Sequence, residues 1–281
     1  MDRPTTDGQQ RDTAFYDANF GSSPDDLYGA IRREAFGEDI GQFSWTTADE
    51  HRRFQRLLGI TADSQVLEVA CGSGGPALFL VRSTGCHLVG VDIHAAGVAT
   101  ANESAVRDGL SDKATFLVHD ARDRLPFHDG AFDAIISIDS INHIFARAAV
   151  FAEWWRVLRP GGRVLYTDAV VVTGPLRREE TVARSPSMGE FVFTPYGADE
   201  ALLASAGFVD IGMDDVTDNI VMVAGAWRAA RHKMSTQLDE IEGVEANASF
   251  QQFLSAVHLL SAERRLSRIA YSATKPVSLT E

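Results

Sequence analysis

Between Ser64 and Thr167 short runs of apolar residues recur, separated by stretches whose apolar positions fall at helical spacing. Val66–Ala70, His87–Val91, Thr115–Val118, Phe132–Ser137 and Arg163–Tyr166 are rich in Val, Ile and Leu and predict buried strands. Ala77–Ser83, Ala95–Asp108 and Val150–Leu158 predict the helices between them. Continuously apolar strands alternating with helices imply parallel βαβ units with helices on both faces of one sheet. The flanks read differently. Asp12–Asn19, Asp25–Ala35 and Ala48–Leu58 predict helices with no strand signal. Residues 170–197 begin apolar, then carry Pro175, Pro186 and Pro195, and predict an irregular excursion. Asp199–Ala206 predicts a helix ended by Gly207, Phe208–Val216 a sixth strand, Ile220–Ile241 and Ala248–Arg264 further helices, and Ser267–Ala273 a last strand.

Composition narrows the class. The 281 residues are 45% hydrophobic and 23% charged, enough for one large domain or a core with a cap. Two cysteines, Cys71 and Cys86, give no disulfide framework. The polar start lacks the apolar stretch of a signal peptide, and no run approaches a membrane span. A formal charge of -13 without a basic block disfavours nucleic acid as a partner. The expectation is a cytoplasmic protein, not bound to membrane, acting on a small molecule.

Val66-Leu-Glu-Val-Ala-Cys-Gly-Ser-Gly-Gly75 runs from a strand into a glycine turn, with Pro76 near the start of the next helix. Proline suits the first helical turn because the N–H it lacks had no partner there. Gly72 and Gly74 let the backbone approach a ligand closely. The turn also satisfies a dinucleotide pattern, so by itself it leaves the cofactor open. Asp92 follows the second strand, about 20 residues after the first glycine, where a carboxylate accepts ribose hydroxyls or caps the following helix. Glu68 lies inside the first strand, where a second anion gains nothing from a pyrophosphate and suits a cationic cofactor. His119-Asp120-Ala121 ends the third strand, and Asp120 can accept from an adenine amino group. Leu125-Pro-Phe-His-Asp-Gly-Ala-Phe-Asp133 leads into strand four, and Arg156-Val-Leu-Arg-Pro-Gly-Gly-Arg-Val-Leu-Tyr166 into strand five.

In that order and spacing, Val66 to Asp168 resembles the motif series of class I S-adenosylmethionine-dependent methyltransferases. The resemblance implies an α/β, Rossmann-like sheet of seven strands with the last antiparallel, an N-terminal helical lid and helical cap insertions. It divides the chain into a lid over 1–60, a cofactor-binding core over 61–169 completed by 198–216 and 265–275, and cap segments over 170–197 and 217–264. It implies S-adenosyl-L-methionine as cofactor, with Glu68 toward the methionine ammonium and the backbone of Ala70, Cys71 and Gly72 along the methionine. Asp92 would hold the ribose, Ile93 pack on the adenine, and Asp120 with the Ala121 N–H read its edge. Gly74 belongs to the same turn, and Ser137 to the cofactor side of strand four.

The run Phe36-Gly-Glu-Asp-Ile-Gly-Gln-Phe-Ser-Trp45 is similar to the small-molecule branch: phosphoethanolamine, sarcosine/dimethylglycine and natural-product sugar methyltransferases. There Trp45 would cover the methionine end. Ser137-Ile-Asp-Ser-Ile-Asn-His-Ile144 resembles the segment that supplies an aspartate and a histidine to the acceptor site of phosphobase and sarcosine enzymes. Similar sugar enzymes carry two adjacent histidines; this chain has Asn142-His143. The resemblance makes His143 the proton acceptor and Asp139 its companion at the acceptor. Asp168 orients His143, contacts the acceptor or caps its loop, and Tyr28 is a lid residue within reach of His143. Phe191, Phe193 and Tyr196 form an aromatic wall if the chemistry is C-methylation, and Arg177, Arg178 and Arg184 clamp an anion or face water. His51, His232 and His258 are read as core or surface residues. No metal site is expected, because no Cys/His cluster has zinc spacing. A hydroxyl or amine of a small metabolite is the expected acceptor, with alkene methylation and non-catalytic cofactor binding as alternatives. The sequence leaves the oligomeric state open.

Overall fold

A computed structural model describes residues 25–181 and 191–277. The predicted helix Asp12–Asn19 and the positions Arg184 and Pro186 lie outside the described residues. Seven strands form one sheet in the order β3-β2-β1-β4-β5-β7-β6. β1 (Gln65–Val69), β2 (His87–Asp92), β3 (Ala114–Val118), β4 (Phe132–Ile138) and β5 (Leu158–Val172) run parallel. β7 (Leu266–Thr274) is antiparallel to both β5 and β6 (Val209–Asp215). Strand order reverses at β1, between β2 and β4, which opens a crevice at the carboxyl ends of those strands.

Helices α1 (Asp25–Phe36) and α2 (Ala48–Leu58) precede the sheet; α3 (Gly75–Thr84), α4 (Ala95–Arg107) and α5 (Arg147–Val157) cross between parallel strands. Thr47 caps α2 by accepting from the Glu50 N–H at 3.2 Å, and Gly59 closes it in the left-handed conformation. One face of the sheet buries Leu78, Leu80, Val98 and Phe116 with Phe54 of α2. The other buries Phe151, Trp154 and Tyr166 with Leu203 from α7 (Ala198–Ala206), after the four-residue α6 (Arg178–Thr181). A third cluster is built by α8 (Thr217–Lys233), α9 (Ser235–Glu242) and α10 (Val244–Ala262) with α1. It includes Ala169 and Leu266, so it sits over the carboxyl end of β5.

Two expectations from the pattern need correction. β5 is much longer than Arg163–Tyr166, because β7 pairs with it as far as Val172↔Leu266. The predicted single helix 220–241 is broken at Met234. Arg231 pairs with Glu242, eleven residues on. In a straight helix those residues would be separated by roughly 16 Å along the axis, beyond an arginine's reach, so the pair requires the chain to turn.

Gly90 in the middle of β2 sets how tightly the cofactor turn packs. A Cβ there would lie 2.5 Å from Phe116 Cδ1 and 2.8 Å from Cys71 Sγ. Gly90→Ala is therefore expected to lower stability by about 1–3 kcal/mol through overpacking, read as a reduced urea midpoint with unchanged slope.

Candidate active site

The crevice is built at strand ends. Ala70 and Gly72 in the turn after β1 have φ of 58° and 54°, and Gly74 caps α3 at φ 76°. A Cβ on Gly74 would stand 2.7 Å from that of Ala101, so the turn is as tight as its glycines allow. Asp92 at the end of β2 accepts from Gly72 N–H at 2.7 Å and from His94 N–H at 2.9 Å. It thus ties the glycine turn to the end of β2 and holds the backbone at His94, where α4 begins. Asp120 accepts from the Arg122 backbone and guanidinium, and Ile93 is exposed. Ser137 donates to the Val69 carbonyl at 2.9 Å and meets Ser140 at 2.8 Å, linking the glycine turn to the loop after β4.

Glu68 is buried, and its Oε2 has no hydrogen-bond partner among the described residues. Burial, then the negative charge of Asp92, pushes its pKa up to about 8. A lone buried carboxylate beside a backbone cradle fits a cofactor with a cationic methionine end. Cys71 lies beneath the turn with its thiol pushed well up by burial, then by Asp92 and Glu68, so it packs as a small apolar residue. Against the outer side of the turn lies the segment before α2: a Cβ on Gly75 would come within 2.5 Å of the carbonyl oxygens of Ile40 and Gly41.

The loop after β4 is organised by a buried arginine that pattern reading missed. Arg268 of β7 is fully buried and bonds Asp139 at 2.7 and 3.1 Å, Glu50 of α2 at 2.8 Å and Thr167 at 3.1 Å. Asp139 also accepts from the Trp45 backbone N–H at 2.8 Å and from Thr167 Oγ1 at 2.9 Å. Asn219 of α8 reaches both the Trp45 carbonyl and Glu50 at 2.9 Å. Asp139 holds a φ of 52°, an unfavourable backbone for a non-glycine residue, inside this set of bonds. The signal in the sequence was an arginine inside the otherwise small and apolar run Leu266–Thr274, since a buried guanidinium requires carboxylate partners.

The three residues expected to be catalytic are placed as follows. His143 sits on a short 3₁₀ turn, Ile141–His143, with its ring 4.8 Å from that of Phe191. The Asp139 carboxylate faces Arg268 instead of accompanying His143. Asp168 is also turned away: it is fully buried and bonds Arg147 at 2.9 Å, while Arg147 bonds Asp199 at 2.6 Å. Burial pushes Asp168 up to about 8 despite the arginine, with the charges of Asp199 and Asp139 adding to the rise. Tyr28 donates to Glu242 at 2.6 Å. His51 is buried with its pKa lowered to about 4 by desolvation, His258 bonds the Val221 carbonyl, and His232 is exposed. No group of three metal-ligating side chains occurs among the described residues.

A cleft enclosing about 530 Å³, part of it open to solvent, adjoins the His143 turn. Trp45, Phe191, Phe193 and Phe253 form much of its wall, and Asn142 is also among the lining residues. Trp45 therefore belongs to the cleft: its ring lies 5.9 Å from those of both Trp227 and Phe253. Tyr196 is exposed and is not in the wall. Arg177 pairs with Glu180 and Glu263, and Arg178 is exposed.

Residues 66–162 match the family described as "Methyltransferase domain". Residues 66–162 thus carry a methyltransferase domain. The chain is 28% identical over 265 residues to the 27-O-demethylrifamycin SV methyltransferase of Amycolatopsis mediterranei (strain S699), covering 93% of this chain and 95% of that one. It is 38% identical over 130 residues to the sterol 24-C-methyltransferase ERG6B of Gibberella zeae, covering 46% of this chain and 33% of that protein. Its fold superposes with a TM-score of 0.77 on phosphoethanolamine N-methyltransferase 2 of Haemonchus contortus, solved with phosphomonomethylethanolamine and S-adenosylhomocysteine. That match has 21% identity and covers 88% of this chain and 56% of that chain, and it establishes the fold alone. Among the described residues no helix is long and apolar enough to cross a membrane.

Three measurements follow from these buried charges. Arg268→Met leaves Glu50 and Asp139 buried without their cation, and is expected to cost about 3–5 kcal/mol in chemical denaturation. Adding Glu50→Gln and Asp139→Asn to that variant is expected to recover part of the loss. The second concerns pH. A carboxyl whose pKa rises on folding takes up a proton, so its stabilising effect is present at low pH and fades as pH climbs toward its folded value. Stability of the ligand-free protein is expected to fall between pH about 5 and about 8, less steeply in Glu68→Gln, as followed by thermal melts. A cationic ligand favours ionised Glu68, so cofactor binding below about pH 8 is expected to release a proton, seen by calorimetry in buffers of different ionisation enthalpy.

Proposed function

We propose that the protein transfers the methyl group of S-adenosylmethionine to a hydroxyl or amine of a small molecule held in the cleft beneath α8 and α10, with His143 accepting the proton. The carrying observation is the placement of His143: its ring touches Phe191 of the cleft wall, and its turn is tied through Ser140 and Ser137 to the glycine turn. The cofactor supplies a methyl group on a good leaving group. What remains for the protein is alignment, exclusion of water and a place for one proton. In this reading Glu68, the backbone of Ala70 to Gly74, and Asp92 hold the cofactor, with Ile93, Asp120 and Ala121 around the adenine. Trp45 is held in the wall through its backbone bonds to Asp139 and Asn219. Residues before α2 and the helices from α8 to α10 act as lid and cap. Asp139 and Asp168 serve as positioning residues, through Arg268 and Arg147 respectively.

One observation favours a second reading. Phe191, Phe193 and Phe253 present aromatic faces to the cleft, an arrangement able to stabilise a carbocation in carbon methylation. Carbon transfer of that kind has less need of His143. With a methyl-accepting compound in hand, His143→Ala is expected to lower kcat by about 10²–10⁴-fold, with cofactor affinity unchanged and no recovery up to about pH 9. An unchanged rate in that variant would remove His143 as the proton acceptor and favour carbon transfer.

A further inference from the structure

Two carboxylates without exposed surface meet a single guanidinium. Asp168 of β5 and Asp199 of α7 are fully buried, and Arg147 at the start of α5 is 3% exposed. Arg147 Nη1 donates to Asp199 Oδ2 at 2.6 Å, and Nη2 donates to Asp168 Oδ2 at 2.9 Å. The Tyr166 hydroxyl adds a second donor to Asp199 Oδ2 at 3.0 Å. The other two oxygens, Asp168 Oδ1 and Asp199 Oδ1, have no hydrogen-bond partner among the described residues.

The surroundings do not restore the balance of charge. Among the described residues no second cation bonds either carboxylate. Asp139 in the loop after β4 and Glu200 of α7 add negative charge. Tyr166 and Tyr271 of β7 are phenols whose pKa burial raises, so both stay neutral. Arg268 of β7 is engaged by Asp139 and Glu50. Two ionised aspartates would therefore leave one negative charge in excess, out of reach of water. Such a charge is far costlier than uptake of a proton. Asp199, with two donors on one oxygen, is the better held as an anion; Asp168 has one donor.

Arg147 has a further partner. Its Nη2 also donates to the Val192 carbonyl at 3.1 Å, while the Val192 N–H donates to the Asn142 carbonyl at 2.7 Å. Val192 lies between Phe191 and Phe193 of the cleft wall.

We propose that Asp168, Arg147 and Asp199 form a proton-binding site that holds one proton, on Asp168, and that this proton secures the cleft wall at Val192. With Asp168 neutral, Arg147 answers Asp199 and keeps an N–H for Val192. When the proton leaves to solvent, both Asp168 oxygens need donors. Arg147 turns to them, and its bond to Val192 is the one given up. Burial raises the pKa of Asp168 to about 8, so the wall is secured below that pH and loosens above it. The inference concerns the wall and is independent of whether methyl transfer occurs.

The test uses the full chain carrying Glu68→Gln, which removes the other carboxyl raised to about 8. Infrared difference spectra between pH about 6 and about 9.5 are expected to show the carbonyl stretch of a protonated carboxyl disappearing as pH rises. Adding Asp168→Asn, the isostere of the neutral acid, is expected to remove that band. Asp199→Asn is expected to remove it as well, because Arg147 then faces a single carboxylate and no proton is needed. Hydrogen exchange supplies the second readout. After correction for intrinsic chemistry, opening of the Val192 amide is expected to rise about tenfold by pH about 9, and to be independent of pH with Asp168→Asn. A water or an outside cation in place of the proton gives no band and overturns the inference. So does a band that survives either substitution, or an exchange rate that ignores pH without Asp168→Asn or rises equally with it. The exchange profile with Asp168 intact decides the matter even if the added variants fail to fold.

Discussion

A guanidinium taken wholly out of water is tolerable only where carboxylates meet it, and Arg268 makes four parts of the chain meet. Asp139 comes from the end of β4, Thr167 from β5, Glu50 from α2, and Asn219 of α8 joins through Glu50 and Trp45. Burying three charges is expensive, and their mutual attraction offsets that cost only if every partner is in place. The segment before α2 is thereby bound to the sheet, and the loop after β4 is held in a backbone shape that Asp139 would otherwise avoid.

That constraint sets the form of the candidate site. Trp45 is fixed at its N–H by Asp139 and at its carbonyl by Asn219, so its ring turns toward Trp227 and Phe253. The loop carrying Asn142 and His143 begins immediately after Asp139 and is anchored on its other side through Ser137 and Ser140. A second buried arginine, Arg147, gathers Asp168 and Asp199 and donates to the Val192 carbonyl, which brings the chain beside Phe191 and Phe193 against the same loop. The two arginines together fix the loop after β4 and the chain at Val192.

Both aspartates read from the sequence as candidates for chemistry bond these buried arginines. The Asp-x-x-x-His spacing placed two polar side chains on one turn, but spacing along the chain carries no information about which arginine of a distant strand arrives there. Asp139 and Arg268 are 129 residues apart, and Arg147 and Asp199 are 52 apart. Asn142 was visible in the sequence only as a departure from a two-histidine pattern. Its burial is a property of the assembled structure.

The local pattern was sufficient for the sheet and the cofactor turn. β1 to β4 lie within one or two residues of the apolar runs, and Gly59 and Gly207 close helices in the left-handed conformation that glycine permits. These features were legible because strand burial, helix periodicity and turn chemistry act over a few neighbouring residues. The end of β5, the break at Met234, the partners of Asp139 and Asp168 and the shape of the cleft were decided only by tertiary structure. Each arises from a pairing between segments far apart in the chain. Such pairings follow from the cost of leaving a buried charge or backbone group unanswered, and that cost exists only once the chain has folded around it.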